Sequence, residues 1–231
     1  DREFAAKYLN RLVVYSDPRM HYDAWDINIR YPHMKKRILR AKSVEFKVEG
    51  SEAVAEARYE CDGCVIVQRM SLVAGEDILR VQTSADWRMR HKMLRADFRP
   101  AVWSDEVECD IQFGTIRRST KNLTRIEKAQ FEICAHKYVS LCDGEAGFAL
   151  LNDCKYGHRV KDGLISLDLL RSPKYPDPGC DMGRHTFSYA LRPFLGSAEK
   201  AGVVRDAYLF NAPPVEAEGG ELPPLVTVKG E

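Results

Sequence analysis

Hydrophobic and polar residues alternate with a period of two along most of this chain, a pattern typical of β-strands that bury one face. Helical periodicity is nearly absent. The alternating segments predict ten strands, at residues 44–48, 53–59, 65–73, 78–84, 93–98, 107–113, 130–135, 148–151, 164–170 and 185–191. Short strands separated by turn signals at intervals of roughly 8–12 residues indicate a sandwich or a barrel.

The short polar segments between the predicted strands carry the chemistry of tight turns. Asp-Gly pairs occupy 62–63, 143–144 and 162–163, and glycine lies at the centre of 49–51 and 74–76. These residue types tolerate the positive φ angles that tight hairpins need. A parallel crossover takes a dozen or more residues, so these connections predict an all-β fold with antiparallel strands.

Three segments depart from the strand pattern. Residues 17–33 are rich in aromatic and acidic side chains, and residues 172–184 contain three closely spaced prolines. We expect both to be ordered loops, where functional sites tend to lie. Residues 197–208 predict one short helix with Ser197 as its N-cap.

The last twenty residues differ in composition from the rest. We expect one β-domain over residues 1–211 and a linker over 212–231, because proline pairs stand at 213–214 and 223–224. The apolar residues 225–228 then predict the start of a further strand.

Charge and composition exclude several classes of function. The 231 residues contain 35 Lys and Arg against 34 Asp and Glu, a formal charge of +1, so we expect neither nucleic acid nor an anionic membrane as a partner. No apolar run approaches the ~18 residues of a membrane-spanning helix, and residues 1–4 lack the basic start of a signal peptide. Seven scattered cysteines do not suit a disulfide framework, which favours reduced thiols and a cytoplasmic location.

Two short motifs carry residue types that bind metals or react as thiols. Cys61 and Cys64 form a CxxC pair, but the next residues continue as a strand and no second pair completes four zinc ligands. We interpret the pair as the flanks of an Asp-Gly hairpin turn. His21 and Asp23 could ligate a metal, yet carbohydrate contact by this aromatic and acidic loop is the hypothesis we favour. Structural packing is the simplest role for Trp25, which also offers a flat surface for a sugar ring.

A second candidate lies in the proline-rich loop. Arg171, Asp177, Asp181 and His185 can bind hydroxyl groups or one another, so this loop either borders a ligand site or forms an internal salt-bridged corner. The sequence contains no GxSxG elbow, phosphate-binding glycine loop or HExxH helix.

Five stretches form a more specific signature when taken in order. They are YDAWDI at 22–27, IQFG at 111–114, LLNDCKYG at 150–157, LLRSP at 169–173 and DMGRHTFSYAL at 181–191. This series resembles the α-mannosidases of glycoside hydrolase family 38, in the large β-domain that follows their catalytic domain.

The resemblance implies a galactose-mutarotase-like antiparallel supersandwich over residues 1–211, truncated at its N-terminal side. It also implies a retaining, zinc-dependent α-mannosidase whose catalytic and metal-binding residues lie outside this segment, in an upstream domain. The partners it implies are that catalytic domain and a mannose-containing oligosaccharide, with a homo-oligomer also possible.

For the site, we expect Arg171 and Asp181 to make polar contacts at the sugar cleft or to brace its loops. Asp23, Trp25 and His185 are weaker candidates for the same cleft. The alternative from another class is a free-standing carbohydrate-binding or interaction module without catalysis, because a fold does not fix a function.

The chain departs from the family pattern between residues 118 and 126. Where relatives usually have Arg-Pro-Thr-His and Asn-Thr-Ser-Trp-Asp, this chain has RSTK at 118–121 and NLTRI at 122–126. If the loop at 117–127 borders the sugar cleft, the loss of an aromatic residue and a histidine changes the substrate preference, so we do not transfer the linkage specificity of relatives to this chain.

Overall fold

The computed structural model describes residues 3–18, 21–215 and 219. Within them, fifteen strands account for most of the regular structure. The strands are β1 Arg11–Ser16, β2 Lys36–Ile38, β3 Ser43–Glu49, β4 Glu52–Cys61, β5 Cys64–Val73, β6 Leu79–Trp87, β7 Lys92–Phe98, β8 Glu106–Ile111, β9 Gly114–Ser119, β10 Ile133–Cys134, β11 Tyr138–Cys142, β12 Ala146–Asn152, β13 Gly157–Lys161, β14 Leu164–Arg171 and β15 Gly183–Leu195. The helices are α1 Arg125–Ala129, α2 Val203–Asn211 and a 3-10 turn at Tyr31–His33.

The strands form two antiparallel sheets that stack as a sandwich. One sheet has the order β10-β13-β14-β7-β1-β2, and the other has the order β3-β4-β5-β6-β15-β12-β11-β8-β9. Alternation decides which face of each strand is buried: in β7, Leu94, Ala96 and Phe98 enter the main core, while Arg95 and Asp97 lie on the opposite face. The predicted all-β antiparallel supersandwich is confirmed.

Some strands escaped the sequence pattern for a physical reason. β1 and β11 are buried on both faces, so their apolar residues run consecutively and show no period of two. The single strand predicted at 107–113 is wrong, because it is β8 followed by a tight turn into β9. Phe113 lies in that turn with a φ of 59° and a fully exposed side chain. Because Phe113 is hydrophobic, the sequence pattern continued through the turn as if it were a strand. Of the strand predicted at 130–135, only β10 forms.

The predicted helix begins later than expected. Gly202 is the N-cap of α2, with a φ of 76°, and no side chain caps the helix there. Ser197 instead accepts the Lys200 N–H at 3.3 Å in the turn that precedes the helix. α2 packs through Val203 and Ala207 on the outer face of the larger sheet. The strand predicted at 225–228 lies outside the described residues.

The CxxC pair forms the hairpin turn that the sequence indicated. Cys61 and Cys64 face each other at the ends of β4 and β5, and Asp62 and Gly63 both have positive φ angles. Burial raises the pKa of the Cys61 thiol to about 11 and raises that of Cys64 as well. Both side chains therefore remain protonated near neutral pH and behave as core residues.

Helices play a small part in this fold. In the described part of the chain, none of them has the length and apolar character needed to span a membrane.

Candidate functional site: an aromatic cluster on two interlocked loops

Two long loops meet at one end of the sandwich. The described residues 17, 18 and 21–35 follow β1, and residues 172–182 follow β14; both strands pair with β7, which lies between them. The Ala24 N–H donates to the Tyr175 carbonyl at 3.2 Å, which joins the loops directly. The strand order thus brings together two segments that are about 150 residues apart in sequence.

Asp23 clamps the second loop to the first. Its carboxylate is buried and accepts the backbone N–H groups of Lys174 and Tyr175, each at 2.8 Å. Burial would raise the pKa of Asp23, but these two hydrogen bonds outweigh it and hold the pKa below the ordinary value. The His91 imidazole lies 3.9 Å from the same carboxylate. Asp23 therefore acts as a structural acceptor within the chain.

Arg171 ties the same loops together from the sheet side. Its Nε and Nη2 donate to the two carboxylate oxygens of Asp17 at 2.8 and 3.3 Å, and Nη2 also reaches the Asp26 carbonyl at 2.6 Å. Asp17 is almost fully buried, so the fork of the guanidinium neutralises a desolvated carboxylate.

Asp181 and His185 continue this bracing. The Asp181 carboxylate accepts the Arg171 backbone N–H at 2.8 Å, and a His185 ring nitrogen lies 3.0 Å from the Asp181 carbonyl. The polar atoms of Arg171, Asp181 and His185 therefore make contacts within the chain, and the ion pair at this corner joins Arg171 to Asp17.

A third anchor holds the far end of the first loop. Tyr31 lies in the 3-10 turn, is buried against Tyr15, and donates its hydroxyl to Glu132. Glu132 also binds both terminal nitrogens of the fully buried Arg95, at 3.0 and 3.1 Å. The first loop is therefore fixed at both ends.

The anchored loops expose three aromatic rings. Trp25 is 68% exposed, Tyr22 53% and Tyr175 50%. Their ring centroids lie 5.7 to 6.0 Å apart in all three pairings. We call these three residues the aromatic cluster. Trp25 packs edge-on against Tyr22 and Tyr175, and the rest of its indole faces solvent.

Polar residues adjoin the aromatic cluster in the sequence of the two loops. His21 stacks edge-on against Tyr22, with ring centroids 4.4 Å apart, and the side chains of Asp26 and Asp177 are exposed nearby in sequence. Among the described residues there is no group of three His, Cys, Asp or Glu side chains placed to hold a metal ion. Exposed aromatic rings in loops that also carry exposed carboxylates suit a ligand that has both C–H faces and hydroxyl groups.

The sequence pointed to both loops but missed Tyr22 and Tyr175 as members of the cluster. Either tyrosine alone is an ordinary loop residue. Only the pairing of β1 and β14 with β7 places them together, and that pairing could not be read from either loop.

Comparison with known proteins defines the family. Residues 1–179 match the model described as the glycosyl hydrolases family 38 C-terminal domain. The chain is 36% identical over 207 residues to alpha-mannosidase 2C1 of Mus musculus, and 37% identical over the same length to its Homo sapiens counterpart. It is 35% identical to alpha-mannosidase G of Dictyostelium discoideum. The chain therefore belongs to glycosyl hydrolase family 38, of which it represents the C-terminal domain.

The solved structures agree on the fold. An alpha-mannosidase from Enterococcus faecalis V583 superposes with a TM-score of 0.74 at 14% identity, covering 87% of this chain and 27% of that one. The alignments to the mouse and human proteins each cover 88% of this chain but only 20% of the relative. The chain thus spans about a fifth of the length of these curated relatives.

Proposed function

We propose that this chain is the β-domain portion of a retaining α-mannosidase that hydrolyses terminal α-mannosides of oligosaccharides. Its relatives are named α-mannosidases, and their additional length leaves room for a separate catalytic domain. In such an enzyme one carboxylate forms a glycosyl-enzyme, a second serves as acid and then base, and zinc orients the sugar hydroxyls. Following the resemblance to the family's β-domain, we assign zinc binding and the reacting carboxylates to that other domain.

The proposed task of this chain is to support the catalytic domain and to line one edge of its sugar cleft. The observation that carries this proposal is the aromatic cluster, whose rings stay exposed although Asp23 and Arg171 hold their loops rigidly. A rigid platform loses little conformational entropy when a ligand binds. Trp25 would stack on a mannose ring, and the exposed carboxylates of Asp26 and Asp177 would accept its hydroxyls.

The candidate residues divide into two roles under this proposal. Trp25 would contact the sugar, together with Tyr22 and Tyr175. Arg171, Asp181, His185 and Asp23 would position the loops without touching it, because their polar atoms already bind within the chain.

The cysteines support a proposal about the compartment. Cys61, Cys64 and Cys109 are free and buried, which supports the proposal that the protein works in a reducing environment such as the cytoplasm.

The experiment compares Trp25→Ala with Trp103→Ala. Trp103 is similarly exposed, at 66% against 68%, but lies against Gly163 in the turn before β14, at the opposite end of that strand. In the full-length enzyme, Trp25→Ala should raise the KM for an oligomannoside with kcat little changed, and Trp103→Ala should leave both unchanged. Equal effects from the two variants, or none, would contradict the cleft role.

A second experiment distinguishes the enzyme hypothesis from the hypothesis of a free-standing carbohydrate-binding module. The chain alone is mixed with mannobiose while tryptophan fluorescence is followed, and it is assayed on an aryl α-mannoside with added zinc. Turnover well above background would refute the assignment of catalysis to another domain. Binding without turnover in a protein whose reading frame starts near Asp1 would favour the module.

A further inference from the structure

A carboxylate with a buried, unpaired oxygen lies beneath the first loop, on the outer face of the smaller sheet. Asp168 of β14 lies opposite Arg95 in the pairing with β7. On its other side β13 packs closely, because a Cβ atom added to Gly157 would lie 3.2 Å from the Cβ of Asp168. The Asp168 Oδ1 atom is closed off from solvent, and no donor among the described residues reaches it. An unpaired oxygen of this kind costs more free energy when the carboxyl group is ionised than when it is neutral.

The segment ahead of β10 shields this carboxyl group. In the smaller sheet, β13 and β14 lie between β10 and β7. Glu132 directly precedes β10 yet binds Arg95 on β7, so its segment crosses the outer face of the two strands between them. Phe131 packs on the same face, against the apolar cluster that contains Met93. Asp168 lies on one of the crossed strands, and this segment therefore acts as its cover.

Charged and titratable groups face Asp168 from the elements packed around it. They are Arg95 and Asp97 on β7, Arg159 on β13, Arg171 at the end of β14, Glu132 before β10, Tyr15 on β1, Asp17 just after β1, and Tyr31 in the 3-10 turn. Burial has the largest effect on the pKa of Asp168 and raises it. The positive charges of Arg95 and Arg171 lower this pKa, and the negative charge of Glu132 raises it again. The result is a pKa of about 6, above the ordinary value of 3.8.

Arg95 holds the cover in place and has few hydrogen bonds left for Asp168. Its Nη1 and Nη2 atoms bind the two carboxylate oxygens of Glu132 at 3.0 and 3.1 Å, and its Nε and Nη2 atoms bind Ser166 at 3.0 Å. Of the five N–H groups of a guanidinium, these contacts use four. An ionised Asp168 would therefore compete with Glu132 for the same positive charge.

Glu132 connects this competition to the first loop, because it also accepts the Tyr31 hydroxyl. We propose that Asp168 makes the anchor of the first loop sensitive to pH: the closed arrangement is most stable with Asp168 neutral, and loss of its proton favours opening of residues 28–35 and 130–132, which brings the carboxylate into water. This proposal does not depend on the sugar-binding role of the aromatic cluster.

The sign of the effect follows from linkage. Because the closed state raises the pKa of Asp168 from 3.8 to about 6, opening releases a proton between these two values. Opening should therefore become easier as the pH rises from about 4 to about 6, and it should level off at higher pH.

The test is a hydrogen-exchange series on the whole chain from about pH 4.5 to about pH 7.5, in which each rate is divided by the intrinsic rate at that pH. The series stays above the range in which Asp23 gains its proton. The corrected exchange of residues 28–35 and 130–134 should rise about tenfold between pH 4.5 and pH 6.5 and change little at higher pH.

Two variants separate Asp168 from other effects of pH. Asp168→Asn keeps the shape of the side chain and cannot ionise, so the corrected exchange of the same peptides should not depend on pH. Asp105→Asn is the matched control, because Asp105 lies ahead of β8 in the other sheet and its side chain is 76% exposed. This control should follow the unmodified chain.

A carbon-13 titration of the Asp168 carboxyl group in the unmodified chain needs no variant, and its midpoint should lie near pH 6. A midpoint near 3.8, a flat exchange profile in the unmodified chain, or the same rise with pH in Asp168→Asn would each overturn the proposal. If Asp168→Asn misfolds, the titration and the exchange profile of the unmodified chain still decide the question.

Discussion

Replacement of Asp23 by alanine tests how much one carboxylate contributes to holding the two loops together. Asp23→Ala removes the acceptor of two backbone N–H groups, those of Lys174 and Tyr175. We expect residues 172–182 to separate from residues 21–26 while the sandwich stays folded, because the clamp lies outside the main core.

The magnitude follows from the two hydrogen bonds. A hydrogen bond to a charged group contributes about 1.5–3 kcal/mol, so two give an upper bound of about 3–6 kcal/mol. Lys174 and Tyr175 lie on an exposed loop, and their N–H groups can bind water once the loop opens. We therefore expect a loss of about 2–4 kcal/mol in the free energy of loop closure, which is a factor of roughly 30 to 900 in the opening equilibrium.

Hydrogen exchange followed by mass spectrometry is the suitable assay. Peptides from residues 172–182 should exchange faster in Asp23→Ala by up to this factor, and peptides from β12 and β15 should not change. The pH dependence has a defined sign. Since the folded state lowers the pKa of Asp23, its contribution is present above the ordinary value of 3.8 and is lost as the pH falls below it. The unmodified chain should then open its loops in acid as the variant does at neutral pH.

Asp26→Ala is the matched control. Asp26 lies in the same loop, its side chain is exposed, and it binds Arg171 through its backbone carbonyl, which the substitution retains. If Asp23→Ala leaves the exchange of residues 172–182 unchanged, or if Asp26→Ala accelerates it equally, the reasoning about the clamp is refuted.

Three further predictions concern the sandwich itself. Gly147→Ala should lower the free energy of unfolding in urea by about 1–3 kcal/mol, because its new Cβ would overlap the Phe194 ring and lie 2.7 Å from the Leu141 carbonyl oxygen. Gly114→Ala is the control, since its Cβ would meet nothing within 4 Å and the change should be nearly neutral. Burial lowers the pKa of His158 to about 4, so the free energy of unfolding should fall by up to about 3 kcal/mol as the pH drops from 6.5 to 4. A His158→Gln variant whose unfolding free energy depends on pH in the same way would contradict this. Cys134 is exposed and should react with a thiol reagent in the folded chain, while the buried Cys61, whose pKa burial raises to about 11, should react only after unfolding.

The positions of strands could be predicted from the sequence where a strand has one solvent-exposed face. β4, β5 and β6 show the period of two and fall close to their expected positions. β1 and β11 do not show it, because both of their faces are buried and every residue can be apolar. The order of strands in the two sheets is a further property that local patterns do not contain, since it depends on contacts between distant segments.

The same limit explains which part of the candidate site was foreseen. Arg171 and Asp181 stood out because charged residues in a loop suggest ligand contacts, yet each of them binds a group in its own chain. A buried carboxylate such as Asp17 must be compensated, so a charged residue near it is used for that purpose first. Trp25 and Tyr175 do not compensate a buried charge, and their ring faces remain exposed to solvent.

Residue type ranks the charged side chains above the aromatic ones as candidate ligand contacts at this site, and the exposure of these side chains reverses that order. A charged side chain that already has its hydrogen bonds gives up those bonds when it binds a sugar hydroxyl, so the exchange gains little. An exposed aromatic ring gives up only contact with water, and it gains apolar burial against the sugar. On this reasoning the binding energy at the loops should come from the aromatic cluster, and Asp23 and Arg171 should affect it only by keeping the three rings in place.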